Sequence, residues 1–304
     1  MQNVIEIKNL NKSYGNIHAV KDLCFKVKKG ELFAFLGVNG AGKSTTISVM
    51  CGTLDKDSGT VIVNGKDIDE DNVFVKRSLG VVFQNSVLDK SLTVYDNLES
   101  RASLYGIYGE QLKTRIEELS TLLGFKDIIN RTVGKLSGGQ RRKIDVARAL
   151  IHSPEILVLD EPTTGLDPKT RMTLWSVIER LRKERGMTVF LTTHYMEEAS
   201  DADYVVIIDD GKISAEGTPL QLKNQFTGDF ITIYGITDEL ADSLGVTYEK
   251  VKDVYRFCVE NTAKATSLII NHPEIFNDYE ITKGKMDDVF LTVTGKKLTG
   301  EVTK

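Results

Sequence analysis

The chain has 304 residues, 27% of them charged, and a formal net charge of −4 with acidic and basic residues interspersed. That length accommodates one α/β domain of about 200 residues and a smaller second one, and the mixed charge advertises no basic face, so no nucleic-acid partner is expected. Cys24, Cys51 and Cys258 are odd in number and far apart, the pattern of free buried thiols in a reducing compartment rather than of disulfides or a zinc site.

At the start, Met1-Gln2-Asn3-Val4 lacks the charged beginning and apolar stretch of a secretion signal. No apolar run approaches the roughly 18 residues of a bilayer span, so membrane work would need another chain for the crossing. Residues 4–10 and 23–27 alternate in part and read as strands, and residues 61–66 carry the Asn64-Gly65 hairpin signal. Together they predict an antiparallel edge sheet. Tyr14, beside Gly15, falls in an expected loop between the first two strands, where its ring can stack on a purine or pack against its neighbours.

The apolar run Leu32-Phe33-Ala34-Phe35-Leu36 leads into Gly37-Val38-Asn39-Gly40-Ala41-Gly42-Lys43-Ser44, and the residues after Lys43 read as a helix. The glycines let the backbone fold into a nest of inward N–H groups, and the positive end of the following helix faces the same spot. This is the strand–loop–helix context of a P-loop, in which Lys43 reaches terminal phosphates and the Ser44 hydroxyl holds Mg²⁺. Residues 80–84 predict a short buried strand ending in Gln84, at the sheet edge where ligands of doubly wound folds sit; there Gln84 can reach the metal or an attacking water, or face solvent.

From Thr93 to Phe125 the period becomes helical, with a capping box at Thr93 and Asp96 and a stripe of Leu112, Ile116, Leu119 and Leu123. Leu136-Ser137-Gly138-Gly139-Gln140 then opens a helix expected over 141–151, with Ile144, Ala147, Leu150 and Ile151 as its core stripe. Ser137 suits an N-cap, and the bare glycine amides make either a second anion site or an ordinary helix start. The unbroken run Ile156-Leu157-Val158-Leu159 ends in Asp160 and Glu161, which predicts a central parallel strand whose alternation sends the two carboxylates to different tasks. One can hold Mg²⁺ through its water shell; the other can orient or deprotonate the water that attacks a γ-phosphate.

A tight loop, Thr163-Thr164-Gly165-Leu166-Asp167-Pro168, precedes a helix carrying Trp175, Ile178 and Leu181. The core strand 187–191 delivers Thr192, Thr193 and His194 to the edge occupied by Asp160; of the four histidines His194 alone has such a place, where it could bond a γ-phosphate. Residues 204–208 and 212–214 predict a hairpin across Asp210-Gly211. Beyond Leu222, residues 231–282 read β, α, β, β, α, β, a split βαβ unit, followed by an amphipathic stretch at 286–293 expected to dock on it and a frayed tail at 296–304.

The order of these motifs resembles the nucleotide-binding subunit of ABC transporters over roughly residues 1–220. Gly37 to Ser44 is similar to Walker A, Gln84 to the Q-loop glutamine, and Leu136 to Gln140 is identical to the LSGGQ signature. Ile156 to Glu161 is similar to Walker B with its glutamate, Gly165-Leu166-Asp167 to the D-loop, His194 to the switch histidine, and Tyr14 to the adenine-stacking aromatic. The resemblance implies an ATPase with an α/β P-loop NTPase core, an antiparallel β subdomain and a helical subdomain at about 88–150, all within 1–222, plus an accessory α+β domain at 223–304. It implies ATP held by Tyr14, Gly37, Asn39, Gly40, Gly42, Lys43, Ser44 and Thr45, and by Ser137, Gly138, Gly139, Gln140 and Asp167 across a head-to-tail dimer. Mg²⁺ would sit on Ser44, Gln84 and Asp160, and Glu161, His194 and Gln84 would carry catalysis.

Arg141-Arg142-Lys143-Ile144-Asp145 and the ending Asp288-Val289-Phe290-Leu291-Thr292-Val293-Thr294-Gly295 resemble the drug-resistance (daunorubicin type) exporter ATPases, with Val293 where that group has leucine. That implies a cytoplasmic subunit, peripheral on the inner face of the membrane, driving export through a separate multi-span permease, with a second ATP-binding subunit, a homodimer being expected. A soluble ABC ATPase of the repair or translation type acting on ribosome or DNA usually carries two motif sets or long coiled-coil insertions, and neither is found here. An ATP-gated module that hardly turns over sits poorly with intact Glu161 and His194.

Overall fold

Backbone pairing carries the first two strands well past their apolar centres. In the computed structural model, which describes residues 2–295, β1 (Asn3–Tyr14) and β2 (Ile17–Lys28) form a long antiparallel hairpin. Tyr14, expected in a loop, is therefore the last residue of β1 and pairs with Ile17. The two-residue period that buries Leu23 and Phe25 turns Cys24 outward, and the same period exposes Cys258 between Phe257 and Val259. Of the three thiols expected to be buried, Cys51 is the one that is.

The strand β3 (Leu32–Leu36) is buried throughout and runs into the loop before α1 (Lys43–Met50). Strands β4 (Ser58–Val63) and β5 (Lys66–Asp67) meet across Asn64 and Gly65, both at positive φ, as an Asn-Gly hairpin requires. They complete a four-stranded antiparallel sheet in the order β2-β1-β4-β5. After α2 (Asn72–Ser78), β6 (Leu79–Val82) stops two residues short of Gln84, which lies in the following loop rather than at the strand's end.

Three helices follow: α3 (Val94–Ser103), α4 (Gly109–Leu123) and α5 (Gly138–Leu150). The Thr93/Asp96 capping box forms, and Leu112, Ile116, Leu119 and Leu123 are buried as one stripe. Helix α5 begins at Gly138 rather than 141, because Ser137 and Gln140 cap each other and pull the glycines into the first turn.

The chain then alternates through β7 (Ile156–Asp160), α6 (Pro168–Arg185), β8 (Thr188–Thr192), α7 (Met196–Ser200), β9 (Tyr204–Asp209), β10 (Lys212–Gly217) and α8 (Pro219–Phe226). The central sheet runs β10-β9-β3-β8-β7-β6, parallel except for β10. Both faces of β3, β7 and β8 are covered, so every residue in them is buried. Phe25 packs against Phe33 and Phe35 at ring-centroid distances of 5.3 and 5.2 Å, tying the antiparallel sheet to the central one.

The C-terminal elements arrive in the expected order: β11 (Asp229–Tyr234), α9 (Asp238–Ser243), β12 (Tyr248–Val251), β13 (Val254–Val259), α10 (Thr262–Asn271) and β14 (Tyr279–Lys283). They form an antiparallel sheet, β12-β13-β11-β14, with its own apolar cluster around Ile231, Ile233, Tyr255 and Phe257. The last helix, α11 (Met286–Thr294), does not dock on this unit as expected. Its stripe of Met286, Val289 and Phe290 joins the larger N-terminal core, against α8. Among the described residues no helix is long and apolar enough to cross a membrane, and the tail at 296–304 lies outside them.

Candidate functional site

Parallel register brings the chemistry to one edge. Pairing Val82 with Leu159 and Asp160 with Thr192 aligns the ends of β6, β7 and β8, so Gln84, Glu161 and His194 follow from adjacent strands. The loop after β3 joins them at the same edge.

That loop is a cradle. A cavity of about 170 Å³ is lined by Asn39, Gly40, Gly42, Lys43, Ser44 and Thr45, with Gln84 and Glu161 facing them. Gly42 sits at φ 107°, and a Cβ there would lie 2.5 Å from the Ala19 carbonyl oxygen, so no other residue fits. The buried Lys43 ammonium donates to the carbonyls of Gly37 (2.6 Å) and Val38 (3.1 Å), two of its three protons. Burial pushes its pKa below the usual lysine value, against the pull of Glu161 and Asp160.

Glu161 is not the next residue of a strand but a turn residue at φ 47°. Its N–H donates to both the hydroxyl and the carbonyl of Thr192, each at 3.1 Å. The two carboxylates therefore part at a left-handed turn rather than by strand alternation. The Glu161 carboxylate accepts from Gln84 Nε2 at 2.7 Å and lies 2.5 Å from His194 Nε2. Asp160 accepts instead from the Thr192 hydroxyl at 2.6 Å. Burial raises the Asp160 pKa, opposed by that bond and reinforced by the Glu161 charge.

Other expected residues lie apart from this cavity. Tyr14 is 48% exposed, with Lys12 Nζ 5.9 Å from its ring centre. Gly139 packs so closely on Thr170 that a Cβ would meet its side chain at 2.8 Å. Thr170 in turn donates its N–H (3.0 Å) and hydroxyl (2.6 Å) to Asp167, which holds that exposed carboxyl below the usual carboxylate range. Ser137 to Gln140 and Asp167 thus form a second cluster, and neither Asp160 nor His194 lines the cavity wall directly.

Two side chains that the sequence places near the site carry roles it left unassigned. Thr192 links the Asp160 carboxylate to the Glu161 backbone N–H through one hydroxyl. Arg142, which the sequence placed only within the string Arg141-Arg142-Lys143-Ile144-Asp145, is buried, and its guanidinium donates to the carbonyls of Phe83 (2.6 Å), Pro162 (2.6 Å), Glu161 (3.0 Å) and Asp160 (3.2 Å). The helical phase that puts Asp145 on the buried side of α5, where it accepts from Ser86 at 2.9 Å, was the available signal.

A positive nest facing hydrogen-bonded carboxylates can bind a polyphosphate and direct water at it. The family model described as ABC transporter matches residues 20–164. The linearmycin resistance ATP-binding protein LnrL of Bacillus subtilis is 34% identical, the alignment covering 97% of this chain and 99% of that protein. The daunorubicin resistance ATP-binding protein DrrA3 of Streptomyces coeruleorubidus is also 34% identical, over 96% of each. Among solved structures, the dimeric post-hydrolysis state of the ATP-binding cassette MJ0796 bound to ADP and Pi matches with a TM-score of 0.66 at 28% identity, covering 71% of this chain and 98% of that one.

Proposed function

The chain belongs to the ABC transporter family as an ATP-hydrolysing, ATP-binding subunit of exporter type, and from that premise we propose that it powers export of a drug, lipid or similar amphiphile through a separate multi-span permease. The observation that carries this reading is the Glu161 carboxylate held by Gln84 and His194 opposite the amide nest. In it, the amides of the loop and the remaining Lys43 proton bind the phosphates, Thr45 and Asn39 flank them, and Tyr14 stacks on the base.

Ser44, Asp160 and Gln84 offer oxygens alone, a donor set suited to a hard cation, and would hold Mg²⁺, which neutralises phosphate charge when bound. Glu161 orients and deprotonates the attacking water, and His194 holds the γ-phosphate side of the site. Ser137 to Gln140 and Asp167 stand outside their own chain's cavity, which supports their use across a homodimer, on the phosphates bound by the partner copy. The division we propose is an ATP-binding domain at 1–222, including a helical subdomain near 88–150, and an accessory domain at 223–304 whose α11 reaches back to the first. The subunit then works in the cytoplasm, on the inner face of the membrane. Both long relatives bear names of ATP-binding resistance proteins, which supports drug-like cargo.

The Glu161→Gln chain tests the proposal. Purified with ATP from detergent-solubilised cells, it should bind nucleotide normally, show no turnover, and elute as a closed dimer with a polytopic membrane protein. Near-normal hydrolysis would remove Glu161 from the mechanism, and recovery with ribosomes or DNA would replace export by a soluble role.

A further inference from the structure

Glu198, on the short helix α7, is a buried carboxylate that the chemistry above leaves unused. It is 5% exposed. Its Oε1 accepts from Thr163 Oγ1 at 2.6 Å and from Trp175 Nε1 at 2.9 Å, and its Oε2 accepts from Thr193 Oγ1 at 2.5 Å. The Thr193 hydroxyl also accepts the Tyr195 N–H at 3.0 Å. These donors come from three segments with different roles. Thr163 lies two residues beyond Glu161 in the turn leading to Asp167. Trp175 stands on α6, the helix that Asp167 caps. Thr193 and Tyr195 flank His194 on either side.

A carboxylate is costly to bury unless its lone pairs are filled, and here each bond lands on a segment of the proposed hydrolytic machinery. We propose that Glu198 is a positioning residue: it sets the approach of His194 to Glu161, which stand 2.5 Å apart, and passes displacements of α6 and the Asp167 loop to His194. The inference rests on the reading of Glu161 and His194 as the hydrolytic pair. Nothing in the P-loop touches Glu198 among the described hydrogen bonds, so the effect belongs to turnover and not to nucleotide affinity.

A double-mutant cycle on the full-length chain separates positioning from simple support of the fold. ATPase rates of Glu198→Gln, His194→Ala and the double variant are normalised to titrated nucleotide sites. Glu198→Gln is expected to lower kcat about 10- to 100-fold, the scale of a small misplacement of reacting groups, with KM for ATP within about twofold of wild type. The double variant is expected to be no slower than His194→Ala alone. Because Trp175 is the single tryptophan, its emission should shift on ATP binding in the wild type and not in Glu198→Gln.

Wild-type turnover in Glu198→Gln, losses that multiply with His194→Ala, or an ATP-induced emission shift that persists unchanged would each overturn the inference. Undiminished turnover in His194→Ala would overturn the underlying reading, and this inference with it. Should Glu198→Gln fail to fold, the isosteric Thr193→Val deletes one of the three donors and must give the same non-additive pattern at smaller size; a multiplicative loss, or none, would again overturn the proposal.

Discussion

Lys43 illustrates how one residue answers two demands. As the first residue of α1 it stands where the helix dipole is positive, and its ammonium is buried against the carbonyls of Gly37 and Val38, which hold the loop's shape. In the proposed site the same charge also faces the bound phosphates. Replacing it in Lys43→Ala should cost about 1.5–3 kcal/mol of nucleotide affinity, the worth of a charge-assisted hydrogen bond, read by titration with a fluorescent ATP analogue. Unchanged affinity would show that the amides suffice. Glu161 makes a different bargain: its left-handed backbone is strained for a residue with a side chain, and the two bonds from its N–H to Thr192 hold it there.

At the scale of elements, α5 is fastened to the sheet through one guanidinium. Arg142 satisfies carbonyls at the end of β6 and in the turn after β7, so the helix that begins with Ser137 cannot shift without disturbing the chain on either side of Glu161. Desolvation depresses the Arg142 pKa while Asp145, Asp160 and Glu161 oppose it. Arg142→Met should lower unfolding free energy by about 3 kcal/mol or more, because buried carbonyls lose their donors; denaturant unfolding would measure it. A loss below about 1 kcal/mol would mean that water replaces the guanidinium readily.

For the molecule as a whole, the helical insertion meets the central sheet at His152. Its ring stacks on Tyr105 at 3.9 Å and its Nε2 contacts the Leu79 carbonyl at 3.1 Å. Burial, with Arg101 nearby, depresses its pKa to about 4. An unfolded histidine titrates near 6.5, so between these values the unfolded chain binds more protons than the folded one. Stability should therefore fall as pH drops from about 6.5 to 4 and level off below. The histidine's share is up to about 3 kcal/mol. Histidine-to-phenylalanine replacement, His152→Phe, keeps the stack and should flatten the pH dependence of the unfolding free energy; parallel curves for the two proteins would refute the assignment.

The local devices were legible in the residues themselves. The glycine-rich loop between a buried strand and a helix, the Thr93 and Ser137 caps and the Asn64-Gly65 turn each depend on interactions within a few residues, and each formed as read. So did the order of the C-terminal elements. What the sequence could not decide is which partner a surface meets far along the chain. The docking of α11 on α8, the burial of Arg142 against the chain around Glu161 and the gathering of Thr163 and Trp175 on Glu198 are all contacts of that kind. Periodicity determines that a face is apolar or a side chain polar; packing and backbone pairing over long separations determine what it touches, and only the folded chain brings those atoms within reach.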